Sequence, residues 1–170
     1  MLDTDTVRAI ERVKGDDGKR DPAGRDIPAG ESSAMLQVCE ADASPAGARD
    51  ASMISMLRLT GCRRAELAGM LFDDLAIGDD DTATIRVIGK RNKERKLYIQ
   101  NGALASLRQW LAIRGDQPGP LFYAINRGGR VLVGHGLTPT SVHDMLKKRA
   151  TEAGVADLKA HDFRRTFAGN

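Results

Sequence analysis

The stretch from Arg49 to Thr60 limits the possible folds more than any other part of the sequence. Met53, Ile54, Met56, Leu57 and Leu59 leave it apolar on most sides, not along a single stripe. A helix of that kind has no face to offer water, which predicts a central core helix with other elements packed around it. Gly61 breaks it, and a second short helix is expected over Arg63 to Leu71. Upstream, Ala34, Met35, Val38 and Cys39 recur at helical spacing. That helix must stop before Pro45, because proline lacks the N–H a helix interior needs.

Between Phe72 and Ile99 the period changes. Thr84-Ile-Arg-Val-Ile88 alternates as a half-buried strand, Gly89 to Glu94 has turn chemistry, and Arg95 to Ile99 reads as the returning strand. Gly78-Asp-Asp-Asp81 is expected as a surface turn. A helix follows from about Gly102 to Ile113, with Leu104, Leu107, Trp110 and Leu111 inward. Leu121 to Ile125 is a short apolar strand that turns at Asn126-Arg-Gly-Gly129. Thr138 to Gly154 is an amphipathic helix with Pro139 in its first turn and Gly154 as its stop. A last helix is expected to start near Asp162. The fold class is therefore mainly α with a small antiparallel β-hairpin or sheet. At the front, Thr4 to Lys14 suits a short helix, and the charged, Gly- and Pro-rich run to Gly30 reads as a linker. Compact structure is expected to begin near Pro28.

With 41% apolar and 29% charged residues among 170, the chain has ordinary globular composition. No apolar run approaches the roughly 20 residues of a bilayer-crossing helix, so no membrane partner is expected. The first residues lack a basic segment followed by an apolar one, so no secretion signal is read there. Cys39 and Cys62 are too few for a disulfide framework or a zinc knuckle and are expected as buried thiols in a reducing cytoplasm. Charge is uneven along the chain. Residues 1–50 carry 7 Lys/Arg against 11 Asp/Glu, whereas residues 51–170 carry 19 against 12. A basic portion of that size fits a polyanionic partner such as nucleic acid. The carboxylates at 79–81 share one turn with no further ligand spaced to join them, which argues against a metal site and a metal-dependent nuclease.

Four basic positions stand out: Arg63 after Thr60-Gly-Cys62, Lys90 in the hairpin turn, and His161 with Arg164 in His-Asp-Phe-Arg. Each alone means little. In this order they resemble the catalytic domain of the tyrosine recombinases, the phage integrase family. Thr60-Gly-Cys-Arg-Arg-Ala-Glu-Leu67 is similar to the family's T-G-x-R-x-x-E-L box, which puts the first catalytic arginine at Arg63 and a structural acid at Glu66. Arg86-Val-Ile-Gly-Lys-Arg-Asn-Lys-Glu-Arg95 is similar to the hairpin V-x-G-K-G-x-K-x-R, which puts the catalytic lysine at Lys90; the usual glycine is Arg91 here. Ala160-His-Asp-Phe-Arg-Arg-Thr-Phe167 resembles the H-x-L-R-x-x-F box, with Phe163 in place of leucine, and assigns His161 and Arg164. The resemblance runs from about Ile27 to Asn170.

It implies the following chemistry. Attack of a hydroxyl on a phosphodiester builds negative charge on the non-bridging oxygens, which two arginine forks neutralise with no metal or other cofactor. Lys90, on the hairpin, protonates the leaving 5′ oxygen, and His161 holds a proton near the nucleophile. Arg91, Lys93, Arg95 and Lys96 are candidate phosphate contacts on double-stranded DNA. The family's nucleophile is a tyrosine downstream of the H-x-x-R box, after a G-H-x box. The sequence stops six residues past Arg164, and its only tyrosines, Tyr98 and Tyr123, precede His161 and are expected in the core. His135 and His143 also come too early for the missing box.

Residues 1–29 are thus expected as a remnant of a core-binding domain plus linker, and residues 30–170 as a partial catalytic domain, truncated at both ends. Three readings follow. The first is a DNA-binding recombinase fragment without its own nucleophile. The second is an enzyme completed by a tyrosine that another recombinase protomer supplies. The third is a non-catalytic DNA-binding module or inert gene remnant. A fragment of this kind, with Phe163 and Phe167 uncovered, is expected to be less stable and prone to associate.

Overall fold

Ser44 and Pro45 set the boundary between the first two helices. The computed structural model describes residues 27–158. The expectations for the Thr4–Lys14 helix and its linker, and for the helix near Asp162 with His161, Phe163, Arg164 and Phe167, lie outside the described residues. Helix α1 (Ala29–Ala41) ends before Pro45, as its sequence requires. Helix α2 (Pro45–Thr60) starts four residues earlier than the apolar run suggests, with Ser44 as its N-cap and Pro45 in its first turn. Proline is tolerated there because the first helical N–H has no partner inside the helix, so one residue bounds one helix and opens the next. Ala51 to Leu57 are buried without interruption, the central core helix that was anticipated. Gly47 is where α2 meets the end of α1: a Cβ there would collide with the carbonyl oxygens of Asp42 and Cys39.

Helix α3 is only Arg64–Ala68, shorter than expected. Beyond Gly69 the chain extends instead, and Met70 and Phe72 exchange backbone hydrogen bonds with the Gly119–Leu121 segment. A 3-10 turn at Phe72–Asp74 leads into strand β1 (Leu75–Ile77), which the sequence did not reveal. Strands β2 (Thr82–Ile88) and β3 (Glu94–Gln100) form the expected hairpin, and the antiparallel order is β1-β2-β3. The register pairs Ile85 with Leu97, Thr84 with Tyr98 and Arg86 with Lys96. Ala83, Ile85, Val87, Leu97 and Ile99 face the core. Because side chains alternate across a sheet, burying Leu97 and Ile99 turns Tyr98 outward, where it is 68% exposed. The core position expected for Tyr98 is therefore wrong; Tyr123 is buried as expected.

Helix α4 (Asn101–Arg114) buries Leu104, Leu107 and Trp110, with Leu111 half-buried against them. The Trp110 indole donates to the Leu121 carbonyl at 2.9 Å, and its ring stacks near Phe122. The Arg114 guanidinium lies buried between the Phe72 and Tyr123 rings, 4.3 and 4.5 Å from their centroids. It donates to the Gly115, Pro120 and Leu121 carbonyls, and burial holds its pKa below the usual arginine value. Strand β4 (Tyr123–Ile125) pairs antiparallel with β5 (Val131–Gly136), a second unanticipated strand. Helix α5 (Pro139–Glu152) is capped by Thr138, whose hydroxyl accepts from the Ser141 N–H at 3.1 Å.

A buried ionic network joins α1, α2 and α5. Arg149, 2% exposed, donates to Asp50 at 2.9 Å, to Asp42 at 2.7 Å and to Glu152 at 3.0 Å. Arg49 donates to the other oxygen of Asp50 at 2.9 Å and to the Tyr123 carbonyl at 3.1 Å. Burial works against the Arg149 charge, but Asp42 and Asp50 more than offset it and raise its pKa. Removing one member of a buried ion pair leaves an uncompensated charge. Arg149→Met is therefore expected to destabilise the protein by about 3–5 kcal/mol, read from the urea midpoint. Hydrogen bonding from Ser44, then Arg149, lowers the Asp42 carboxyl from 3.8 to about 2. A carboxyl lowered on folding stabilises fully above its unfolded value and loses that contribution as pH falls through its folded value. Stability is thus expected to fall between about pH 4 and pH 2, with a shallower fall in Asp42→Asn, measured by urea melts across that range.

Candidate functional site

The first predicted catalytic residue sits where α2 hands over to α3. Gly61 takes the left-handed conformation (φ 59°) that ends α2, and its N–H donates to the Leu57 carbonyl at 2.9 Å. Thr60 donates its hydroxyl to the Met56 carbonyl at 2.7 Å and accepts the Cys62 N–H at 3.3 Å. This tight corner buries Cys62 and leaves Arg63 as the N-cap of α3. Burial pushes the Cys62 thiol up to about 11 and the Cys39 thiol up to about 12, so both stay protonated near neutrality. They are free, buried thiols, as anticipated.

Glu66 is the centre of the site. Its side chain is 3% exposed and takes four donors. The Arg63 N–H reaches Oε2 at 2.7 Å, and Arg63 Nη1 reaches Oε1 at 3.2 Å. Arg95, from β3, adds a two-pronged contact, Nη1 to Oε1 at 3.0 Å and Nη2 to Oε2 at 2.9 Å. One carboxylate thus holds two guanidinium groups whose side chains remain 40% exposed, and the cluster keeps a net positive charge. The structural role expected for Glu66 is what its contacts describe. Arg95, named from sequence as a DNA contact, has its guanidinium turned onto Glu66.

The hairpin neck lies against the same carboxylate. A Cβ at Gly89 would stand 3.1 Å from Glu66 Oε1, so the absence of a side chain permits the approach. The Gly89 N–H donates to the Lys93 carbonyl at 2.8 Å and closes the loop. Lys90 follows directly, in the short turn Lys90–Asn92 at the tip. Arg86 is engaged elsewhere, donating to Asp74 at 2.9 Å and to Glu94 at 3.2 Å. Among the described residues, Lys90, Arg91, Lys93 and Lys96 are exposed and have no carboxylate partner.

Arg63, Glu66, Arg95 and the root of the Lys90 turn are therefore brought together, while His161 and Arg164 lie outside the described residues. Sequence reasoning missed the sharing of Glu66 by Arg63 and Arg95. The Glu66-to-Arg95 spacing of 29 residues carries no local signal, although a buried acid between two basic motifs was the available hint. No group of three metal-ligating side chains occurs among the described residues, and no described helix is long and apolar enough to cross a membrane.

Helices around an apolar α2, a three-stranded sheet, and an arginine corner joined to a basic hairpin together define the class: an integrase-like catalytic-domain fold. The pattern of the Phage integrase family matches residues 25–170, and the chain belongs to that family. Tyrosine recombinase XerC of Alcanivorax borkumensis is 31% identical to it over 157 residues, covering 89% of this chain and 47% of that protein. Among solved structures, the XerH site-specific recombinase bound to palindromic difH substrate, a post-cleavage complex, has a TM-score of 0.66 at 22% identity, over 86% of this chain and 42% of that one. A lambda integrase dimer bound to a COC′ core site has a TM-score of 0.62 at 15% identity, over 88% of this chain and 53% of that one. These structural likenesses establish the fold. The chain spans less than half the length of such curated relatives.

At the tip, the departure at Arg91 carries a backbone cost. Arg91 and Asn92 both adopt left-handed backbone, φ 63° and 57°. A glycine there carries no Cβ penalty, whereas a side chain costs roughly 1–2 kcal/mol, partly offset by glycine's greater freedom when unfolded. Arg91→Gly is expected to raise stability by up to about 1 kcal/mol, visible as a higher thermal midpoint.

Proposed function

We propose that this chain is a DNA-binding part of a site-specific tyrosine recombinase, that its partner is double-stranded DNA, and that neither Tyr98 nor Tyr123 is the nucleophile. Residues 30–170 would belong to the catalytic domain and residues 1–29 to the preceding domain with its linker. The observation that carries the reading is the Glu66-held Arg63 beside a hairpin that presents Lys90, Arg91 and Lys93 at its tip, and Lys96 on β3, without carboxylate partners. Unpaired cations at an exposed turn favour phosphate, and a guanidinium held in place is suited to a non-bridging phosphate oxygen. The matched XerH and lambda integrase structures are DNA complexes, and the latter is a dimer, which supports DNA and a second protomer as partners.

In this reading Arg63 and Arg164 neutralise the scissile phosphate, Lys90 protonates the 5′ leaving oxygen, and His161 holds a proton beside the attacking hydroxyl. Neither tyrosine suits the attack. Tyr123 is fully buried, and Tyr98 lies on the sheet face opposite Arg95 and Glu66. Cleavage would need a tyrosine other than these two.

The test uses a labelled random-sequence duplex across a salt series. Binding is expected to weaken with salt, with a log–log slope of roughly −3 or steeper, since each phosphate neutralised contributes about −0.9. A nicked duplex that traps covalent intermediates is expected to give no adduct with this chain alone. Absent or salt-independent binding would overturn the DNA reading. An adduct abolished by Tyr98→Phe or Tyr123→Phe would overturn the exclusion of these two tyrosines.

A further inference from the structure

The basic residues of the hairpin divide into two groups. Lys90, Arg91, Lys93 and Lys96 are exposed and have no carboxylate partner among the described residues. Arg86 and Arg95 are engaged: Arg86 pairs with Asp74 in the 3-10 turn that leads into β1 and with Glu94, whereas Arg95 reaches across to α3. Its fork closes on both oxygens of Glu66, the same two oxygens that hold the backbone and side chain of Arg63. Gly89, at the hairpin neck, packs against Glu66 Oε1. Three points on two elements thus converge on one nearly buried carboxylate: the α3 cap, the root of the Lys90 turn and the first residues of β3.

We propose that Arg95 is a positioning residue and not a phosphate contact. With Glu66 it forms a strut that sets the hairpin carrying Lys90 in register with Arg63, and the DNA-facing charge of the hairpin is confined to Lys90, Arg91, Lys93 and Lys96. The first half stands on the geometry of the free protein; the second rests on the DNA reading above. The chemistry favours this division. A guanidinium paired through two parallel hydrogen bonds to a carboxylate that is 3% exposed has its donors aimed inward. A lysine keeps the charge at that position but cannot make the planar two-pronged contact, so Arg95→Lys separates the strut from the charge.

Two measurements decide it. In the DNA-free protein, amide hydrogen exchange over residues 88–96 and at the Arg63 N–H is expected to rise roughly tenfold or more in Arg95→Lys, with α4 unchanged. Exchange equal to wild type would overturn the strut, and a uniform rise that includes α4 would mark general destabilisation and overturn the local coupling. On DNA, Lys93→Met and Lys96→Met are each expected to make the salt slope shallower by about one, while Arg95→Met lowers affinity and leaves the slope unchanged. A slope shallower by about one in Arg95→Met would show a direct phosphate contact and overturn the proposal. If wild-type binding is absent or independent of salt, the DNA reading and the assignment of phosphate-facing charges fail together, and the exchange result still decides the strut.

Discussion

Arg149 is the residue on which the arrangement of the helices depends. A guanidinium that is almost wholly buried is tolerable only where carboxylates meet it with good geometry, and Asp42, Asp50 and Glu152 do so from the end of α1, from α2 and from α5 itself. The position of α5 against the first two helices follows from that demand. The same α2 that supplies Asp50 ends at Gly61 and presents Arg63, while α5 precedes His161 and Arg164 in the chain. The network therefore fixes α5 against the helix whose C-terminal end leads into Arg63.

Glu66 does a related task at shorter range. It answers the backbone of α3, the side chain of Arg63 and the fork of Arg95 with one carboxylate, leaving an excess of positive charge near the surface. The hairpin strands add a second separation. Carboxylates from the 3-10 turn and from β3 absorb Arg86, whereas the tip keeps its cations unpaired. Basic residues that look alike in sequence thus become unequal in availability once folded.

Much of this was legible from residue order. The unbroken apolar character of Met53 to Leu57 marked the core helix, the alternation of Thr84 to Ile88 marked the hairpin, and Thr138-Pro139 marked the start of α5. The elements that escaped notice are short and depend on distant partners. Strand β1 has three residues and exists because Leu75 to Ile77 find Ala83 to Ile85. Strand β5 contains two glycines and pairs with a three-residue β4. Tyr98 was misplaced because aromatic character suggests burial, whereas the strand's period left it on the side that Leu97 and Ile99 did not take.

By itself the sequence determined the helical and alternating periods, the caps and breaks at Pro45, Gly61 and Thr138, and the ordered basic motifs that mark the family. Those are properties of neighbours a few residues apart, where backbone sterics and local hydrogen bonding decide. Only the tertiary structure decided which cations are free and which are held. Arg95 meets a carboxylate 29 positions away, and Arg149 one 107 positions away. Whether a charge faces solvent or a buried partner depends on which segments the core brings together, and no local pattern encodes that.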